Sequence, residues 1–350
     1  MDYKIVRNGN KLIMSKLSVA LGIDIGGTNT VFGFVDKEGK CVAESSIPTN
    51  ASESAERLFE RLFPKVDAVY QSISKNYYLV GIGIGAPNAN YYTGMVEVPP
   101  NLNWQIVNVL EIVKKYYDIP TAITNDANAA ALGEMKFGAA KGMKDFIVIT
   151  LGTGLGSGIV ANGDLIYGHD GFAGEIGHII VVDGGRNCGC GRKGCLETYA
   201  SATGLRRTVF ELLCNSNDPS KLRNITFEEM TSKMIYEAAV DGDKIALSAF
   251  TFTGEILGKA LANAVAVTSP GAIILFGGLA SAGDILFSPT QKAMEDNMLN
   301  IFKNKVKLLP SALHNGNTAV LGAAALIWNE LEKGKIQSSE FAPVENWDVM

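Results

Sequence analysis

Two stretches of this chain share one design, and any fold must accommodate both. Leu21 to Asp36 reads LGIDIGGTNTVFGFVD: an apolar run ending in Asp24, a turn of Gly26, Gly27, Thr28 and Asn29, then a second apolar run. Phe146 to Val160 reads FIVITLGTGLGSGIV and runs into the polar turn Asn162-Gly163-Asp164. Gly152-Thr153-Gly154 stands where Gly26-Gly27-Thr28 stood. Apolar runs joined by such turns predict β-hairpins. A hairpin repeated at the head of two α/β stretches predicts two domains of related fold. Turns with so little side-chain bulk let backbone N–H groups approach an anion, and Thr28 and Asn29 add side-chain donors. Asp24, at the mouth of the first turn, is placed to hold a hydrated Mg²⁺. Either turn alone reads equally as an ordinary tight hairpin, with Asp24 capping it.

The remaining segments alternate strand and helix, the pattern of an α/β protein, and 350 residues suit two domains. Ser52 to Ser74 has helical apolar spacing, with Pro64 expected to break or kink it. Tyr78 to Ile84 is β-forming, and Asn108 to Tyr117 is helical. Thr121 to Thr124 is a short strand that stops at Asn125-Asp126, before the Ala-rich helix Ala127 to Glu134. Asp126 therefore falls near a helix N-terminus, where the dipole favours its ionised form. By residue pattern alone it reads as a plain N-cap. Further helices are expected over 202–214, 227–240, 244–267, 289–302 and 318–331. Strands are expected over 272–276, ending in Gly277-Gly278, and 306–309. Met1 to Leu17 is polar and expected on the surface or on a partner subunit; Lys333 to Met350 is a polar tail.

A net charge of −5 and the lack of a long basic run argue against a nucleic-acid partner. Lysines and an arginine interrupt Met1 to Leu17, so it has no secretory core. No apolar stretch approaches the roughly 20 residues of a spanning helix. The expectation is a soluble, cytoplasmic protein without membrane contact. The five cysteines are odd in number, and three crowd into 188–195, which speaks against a disulfide framework.

These residues resemble the ROK family of sugar kinases and regulators, in the actin/hexokinase-like ATPase superfamily. The resemblance rests on DIGGTNT from Asp24, on LGTGLGSGI with Gly163, and on Gly174-Glu175-Ile176-Gly177-His178. It rests also on Cys188-Gly-Cys190-Gly-Arg-Lys-Gly-Cys195-Leu-Glu197 and on Asn125-Asp126 opening an Ala-rich helix. It runs from about Ser18 to about Leu331. It implies two ribonuclease H-like, actin-like ATPase domains flanking a cleft. The expected partition is a smaller discontinuous domain of residues 1–124 with 318–350, and a larger one of 125–317 carrying a zinc segment.

The implied activity is an ATP-dependent hexose kinase that phosphorylates the 6-hydroxyl of glucose. Its rivals are kinases for N-acetylmannosamine, N-acetylglucosamine, mannose, allose or fructose, and a sugar-responsive transcriptional regulator. The regulator reading expects a DNA-binding domain before the first strand, where only Met1 to Leu17 stands. The resemblance makes Asp126 the general base. It assigns the sugar to Asn101, Asn125, Asp126, Glu175, His178 and Glu197. It makes His178, Cys188, Cys190 and Cys195 ligands of a structural Zn²⁺, with reduced cysteines in a small core as the alternative. The ATP phosphates fall to Asp24, Gly26, Gly27, Thr28, Asn29, Gly152, Thr153 and Gly154, with Mg²⁺ at Asp24, and the adenine to Gly277 and Gly278. A homo-oligomer, dimer or tetramer, is implied as well.

Overall fold

A computed structural model of the chain describes residues 4–8, 11–313 and 317–334. In chain order the strands are β1 (Lys4–Asn8), β2 (Lys11–Ser15), β3 (Leu17–Ile25), β4 (Asn29–Asp36), β5 (Cys41–Pro48), β6 (Tyr77–Gly85), β7 (Met95–Glu97), β8 (Ile106–Asn108), β9 (Thr121–Thr124), β10 (Phe146–Leu151), β11 (Leu155–Ala161), β12 (Asp164–Leu165), β13 (Ala272–Phe276) and β14 (Lys307–Pro310). The helices are α1 (Ala55–Ile73), α2 (Val109–Lys114), α3 (Asp126–Phe137), α4 (Glu197–Ala200), α5 (Ala202–Asn215), α6 (Ser232–Val240), α7 (Lys244–Thr268), α8 (Asp284–Asn297) and α9 (Thr318–Glu332).

The chain divides into two compact units. Unit 1 comprises Met1–Lys141, Tyr167–Phe172 and Ala312–Met350; unit 2 comprises Gly142–Ile166 and Ala173–Ser311. The sequence reading put the boundary after Thr124 and made the first domain the smaller. The boundary lies instead after Lys141, and unit 1 is the longer. The cause is the allegiance of α3, which packs on α9 almost backbone to backbone. A Cβ added at Gly322 would lie 2.6 Å from the Ala129 carbonyl oxygen. The short return Tyr167–Phe172 is held in unit 1 by Asn90, whose side-chain amide donates to the Asp170 carbonyl at 2.8 Å. Tyr167 also stacks on Tyr91, with ring centroids 4.0 Å apart.

Each unit is built on a five-stranded sheet of the same design. The orders are β5-β4-β3-β6-β9 and β12-β11-β10-β13-β14. In both, the first three strands form an antiparallel meander and the last two run parallel to the central strand. The repeated hairpin of the sequence is thus the centre of each sheet.

Strand alternation decides what faces what. On β3, Val19, Leu21, Ile23 and Ile25 join a core with Leu58, Phe59 and Leu62 of α1. The opposite face carries Ala20, Gly22 and Asp24. There α9 lies directly on the sheet, because a Cβ at Gly83 would overlap the Ala323 carbonyl. Asp24 ends this small-residue face, on the side where α3 and α9 pack. In unit 2, β10 and β13 share a core with α5 and α7.

Several local expectations change. Pro64 sits inside an unbroken α1. Pro64 and Glu60, whose carbonyl loses its helical partner, are both exposed, so solvent satisfies that carbonyl. The helix expected at 289–302 is α8, which begins and ends five residues earlier and carries Pro289 inside it, seated against Gly254 of α7. The helix expected from Phe227 starts only at Ser232. The N-terminal stretch forms an antiparallel pair, β1 with β2. The tail from residue 335 onward lies outside the described residues. α7 is, by length and composition, apolar enough to cross a membrane, contrary to the expectation of no such stretch. Of its most apolar window, 61% is buried within the protein, as befits a core helix.

Candidate active site

The three parallel strands of unit 1 end at one edge of its sheet, in Ile25, Gly85 and Thr124. Asn125 follows Thr124 and caps α3, its Oδ1 accepting the Asn128 N–H at 2.7 Å. The capping duty that competed with catalysis is therefore taken by Asn125. Asp126 is the first helical residue; its Oδ1 accepts the neighbouring Ala127 N–H at 2.9 Å, and the residue is exposed.

Asp24 lies close enough to Asp126 for their charges to interact. Burial first, and the charge of Asp126 second, push the Asp24 carboxyl up to about 7. Asp126 is raised too, by the protein massed around it, against the opposing bond from Ala127. The helix dipole was expected to favour its ionised form; the surrounding protein outweighs it. The residue is nonetheless exposed, which leaves Asp126 open to a ligand. Two adjacent carboxylates suit a divalent cation, which would draw both pKa values down.

The first Gly-rich turn is closed by Gly26 N–H on the Asn29 carbonyl at 3.1 Å. Thr49, which the sequence reading missed, braces it by donating its N–H to Thr28 O at 2.9 Å and its hydroxyl to Gly26 O at 2.7 Å. Thr28 and Asn29 are exposed. Asn101 packs against this turn: a Cβ at Gly27 would lie 2.9 Å from the Asn101 Cβ. Buried Leu102 and Trp104 anchor the Asn101 segment, with Trp104 Nε1 donating to the Glu53 carbonyl at 3.0 Å. Asp24, the first turn, Asn101, Asn125 and Asp126 are thus all carried by unit 1.

Unit 2 carries the rest. Its Gly-rich turn closes alike, Gly152 N–H on Gly154 O at 3.0 Å, with Gly152 and Thr153 exposed. Gly277 lies against the base of this turn at a φ of +99°, where a Cβ would come within 2.7 Å of the Leu151 carbonyl oxygen. Gly278 beside it is exposed with open space around its Cα. Glu175 precedes a single turn of 3₁₀ helix, Ile176–His178. That turn is seated on β11 by the Ile176 N–H, which bonds Ser157 Oγ at 3.2 Å. His178 Nε2 faces Glu175 Oε2 at 4.0 Å, so these two side chains lie on one side of the turn.

His178, Cys188, Cys190 and Cys195 bring their ligand atoms within 4.8 Å of one another. Cys190 Sγ and Cys195 Sγ are 3.6 Å apart, and Cys188 Sγ is 3.7 Å from His178 Nδ1. Zinc–sulfur bonds of about 2.3 Å at tetrahedral angles put two thiolates about 3.7 Å apart, so the donor set and its spacing fit Zn²⁺. Nδ1 is the nitrogen turned to the thiols, which leaves Nε2 on the Glu175 side. Burial raises the Cys190 thiol, and hydrogen bonds from Arg192, Cys188 and Cys195 together bring it down to about 6. Burial pushes Cys188 up to about 12.

Glu197 sits beside this knot at the start of α4. Its Oε2 accepts the Leu155 N–H at 3.0 Å, and Cys188 Sγ lies 3.7 Å from its Oε1. The sequence reading missed Arg186, which ties the knot to α4 and α5. Its guanidinium lies 4.5 Å over the Tyr199 ring and bonds Thr198 O, Gly204 O, Thr208 and Glu211. No local signal marks such a residue, since every partner lies at least 12 positions away.

A model of the ROK family matches residues 20–330. A glucokinase of Halalkalibacterium halodurans is 36% identical over 323 residues, covering 90% of this chain and 97% of that protein. The crystal structure of a ROK family glucokinase from Streptomyces griseus, in complex with glucose and AMPPNP, is 32% identical. It covers 88% of this chain and 98% of that one, with a TM-score of 0.74. A ROK family transcriptional regulator, homolog of the E. coli MLC protein, aligns with a TM-score of 0.82 at 27% identity, over 92% of this chain and 81% of that one.

Proposed function

The chain belongs to the ROK family, with the actin-like ATPase fold in its two units, and from that we propose that it is a glucokinase. It transfers the γ-phosphoryl group of ATP to the 6-hydroxyl of glucose. The observation that carries the chemistry is Asp126: exposed at the start of α3, relieved of capping by Asn125, and beside a second carboxylate, Asp24.

The sugar 6-oxygen attacks the γ-phosphorus, the bond to the β–γ bridging oxygen breaks, and ADP leaves. Asp126 accepts the hydroxyl proton as the new O–P bond forms, and its upward shift makes its carboxylate a stronger base than an ordinary aspartate. The turns Gly26 to Asn29, exposed at Thr28 and Asn29, and Gly152 to Gly154, exposed at Gly152 and Thr153, offer N–H groups to the phosphates, with Gly277 and Gly278 beside the adenine. Mg²⁺ carried with the nucleotide neutralises phosphate charge when bound, and Asp24 is the carboxylate that would hold its hydration shell.

Asn101, Asn125, Glu175, His178 and Glu197 hold the sugar hydroxyls. Such a site discriminates because an unmatched hydroxyl partner stays buried and unpaired. His178, Cys188, Cys190 and Cys195 would hold a structural Zn²⁺, with His178 binding through Nδ1 and keeping Nε2 for the sugar. Charge balance and positioning account for the rest of the rate.

The test is a panel of hexoses with ADP formation as readout and the phosphorylated carbon identified. Glucose is expected to give the highest kcat/KM with phosphate on its 6-oxygen. A panel in which N-acetylmannosamine or another hexose leads would replace the sugar, and one without ADP formation would end the kinase reading. The likeness to a transcriptional regulator supports a second reading, a sugar sensor on the same fold. Turnover that Asp126→Asn abolishes excludes it.

A further inference from the structure

Glu197 reaches beyond the metal knot. Its Oε2 accepts the Leu155 N–H at 3.0 Å and covers Gly154 so closely that a Cβ there would overlap that oxygen. Its Oε1 faces Cys188 Sγ. Two residues earlier stands Cys195, another member of the knot. Thr198 closes back on the Cys195 carbonyl with its N–H at 3.0 Å and its hydroxyl at 2.8 Å. The carboxylate is therefore fixed at its root by the knot and grips the second Gly-rich turn with its tip.

That turn needs a grip. Gly152 and Gly154 give it wide backbone freedom; a Cβ at Gly152 would meet nothing, and apart from the Ala202 N–H on the Gly152 carbonyl at 2.9 Å its hold comes from Glu197. A flexible turn must be ordered before its N–H groups can hold an anion, and the ordering weakens binding. A carboxylate bonded to the N–H of Leu155 is a charge-assisted anchor that orders the turn in advance.

Resting on the reading of Gly152–Gly154 as a phosphate turn, we propose that Glu197 is a positioning residue for the nucleotide. It presets the second turn, and through it the integrity of the metal knot sets how tightly adenine nucleotide binds, even with no sugar present. This role is separate from any contact Glu197 makes with sugar. It also accounts for the glycine at 154, since any side chain there would displace the carboxylate.

The experiment is calorimetric titration of Mg²⁺ and ADP into the sugar-free chain. Glu197→Ala should weaken ADP by about tenfold, the scale of one charge-assisted hydrogen bond. Glu197→Gln, whose amide oxygen still accepts the Leu155 N–H, should stay within about twofold of the native chain. Gly154→Ala approaches the same contact from the turn side and should reproduce the alanine variant, which keeps the test open if Glu197→Ala fails to fold. Stripping the metal from the native chain with a chelator should weaken ADP about as much as Glu197→Ala. Stripping it from Glu197→Ala should add little, because the link is already cut.

Native-like ADP binding by folded Glu197→Ala or Gly154→Ala overturns the proposal, whatever happens to the KM for sugar. So does a metal effect equally large with and without Glu197. A native chain that binds no adenine nucleotide at all removes the kinase reading itself, an outcome distinct from a flat variant series on a chain that binds ADP.

Discussion

Replacing Asp126 by asparagine should make the protein more stable at alkaline pH while it loses activity. Asp24 moves from 3.8 to about 7, a change of roughly three units, or about 4 kcal/mol at 1.4 kcal/mol per unit. Burial is the larger cause and the charge of Asp126 the smaller, so the repulsion accounts for less than half, at most about 2 kcal/mol. The sign follows from proton linkage. The folded state binds the Asp24 proton more tightly than the unfolded chain does, so stability falls as pH rises from about 4 to about 7 and stays reduced above that. Asp126→Asn removes the repulsive share of that loss. It keeps the Ala127 N–H bond, because an amide oxygen accepts as a carboxylate does.

Urea denaturation of both proteins at several pH values, without added divalent cations and without chelator, reads this directly. At pH 8 the variant should be at least about 1 kcal/mol more stable, because the cost of ionising the crowded Asp126 goes with the repulsion, and the gain should shrink as pH falls to about 5, where Asp24 is protonated in both. A carboxyl-carbon NMR titration should show the Asp24 midpoint dropping by about one unit yet remaining well above 4, since burial is untouched. A gain equal at pH 8 and pH 5, a variant less stable at pH 8, or an unmoved Asp24 midpoint would refute the reasoning.

The same Asp126→Asn protein should keep sugar affinity within about threefold and lose kcat by about two to four decades, as removal of a general base does; equilibrium binding and steady-state kinetics check both. One equivalent of zinc per chain is expected by elemental analysis, and its removal should lower the melting temperature; an unchanged melting curve would end the metal assignment. Gly27→Val should weaken ATP binding and raise the KM for sugar together, because its side chain meets Asn101 at the Cβ as well as crowding the phosphates. Gly83→Ala should cost about 3 kcal/mol or more in urea unfolding, since its methyl overlaps the Ala323 carbonyl of α9.

What the sequence makes legible here follows from which chemistry leaves a local mark. A turn that must bring backbone N–H groups to an anion has to be glycine-rich, so both turns, and through their repetition both sheets, stand out in the chain. The cluster of three cysteines within 188–195 stands out as well, although its reading as a metal site with His178 leans on the family resemblance, since C-x-C is tighter than usual finger spacing. The domain boundary left no such mark. It is set by α3 lying on α9, and in isolation the alanines that permit this contact read only as good helix formers and Gly133 and Gly322 only as weak points in a helix. Pro64 misleads in the opposite direction: its local rule is sound, but the exposure of Glu60, which makes the lost bond tolerable, is a tertiary fact. Arg186 and Thr49 are illegible for a physical reason as well. A residue that holds another in place needs reach and hydrogen-bond donors but no particular spacing to what it serves. Glu197 belongs to both classes. Its proximity to Cys195 shows in the sequence, whereas its grip on Leu155, 42 positions earlier, exists only once β11 and α4 have folded against each other. The residues proposed to contact ligands are therefore marked by repetition and family resemblance, and those proposed to position them emerge from packing, so the second group is where mutational tests add most to a reading of this chain.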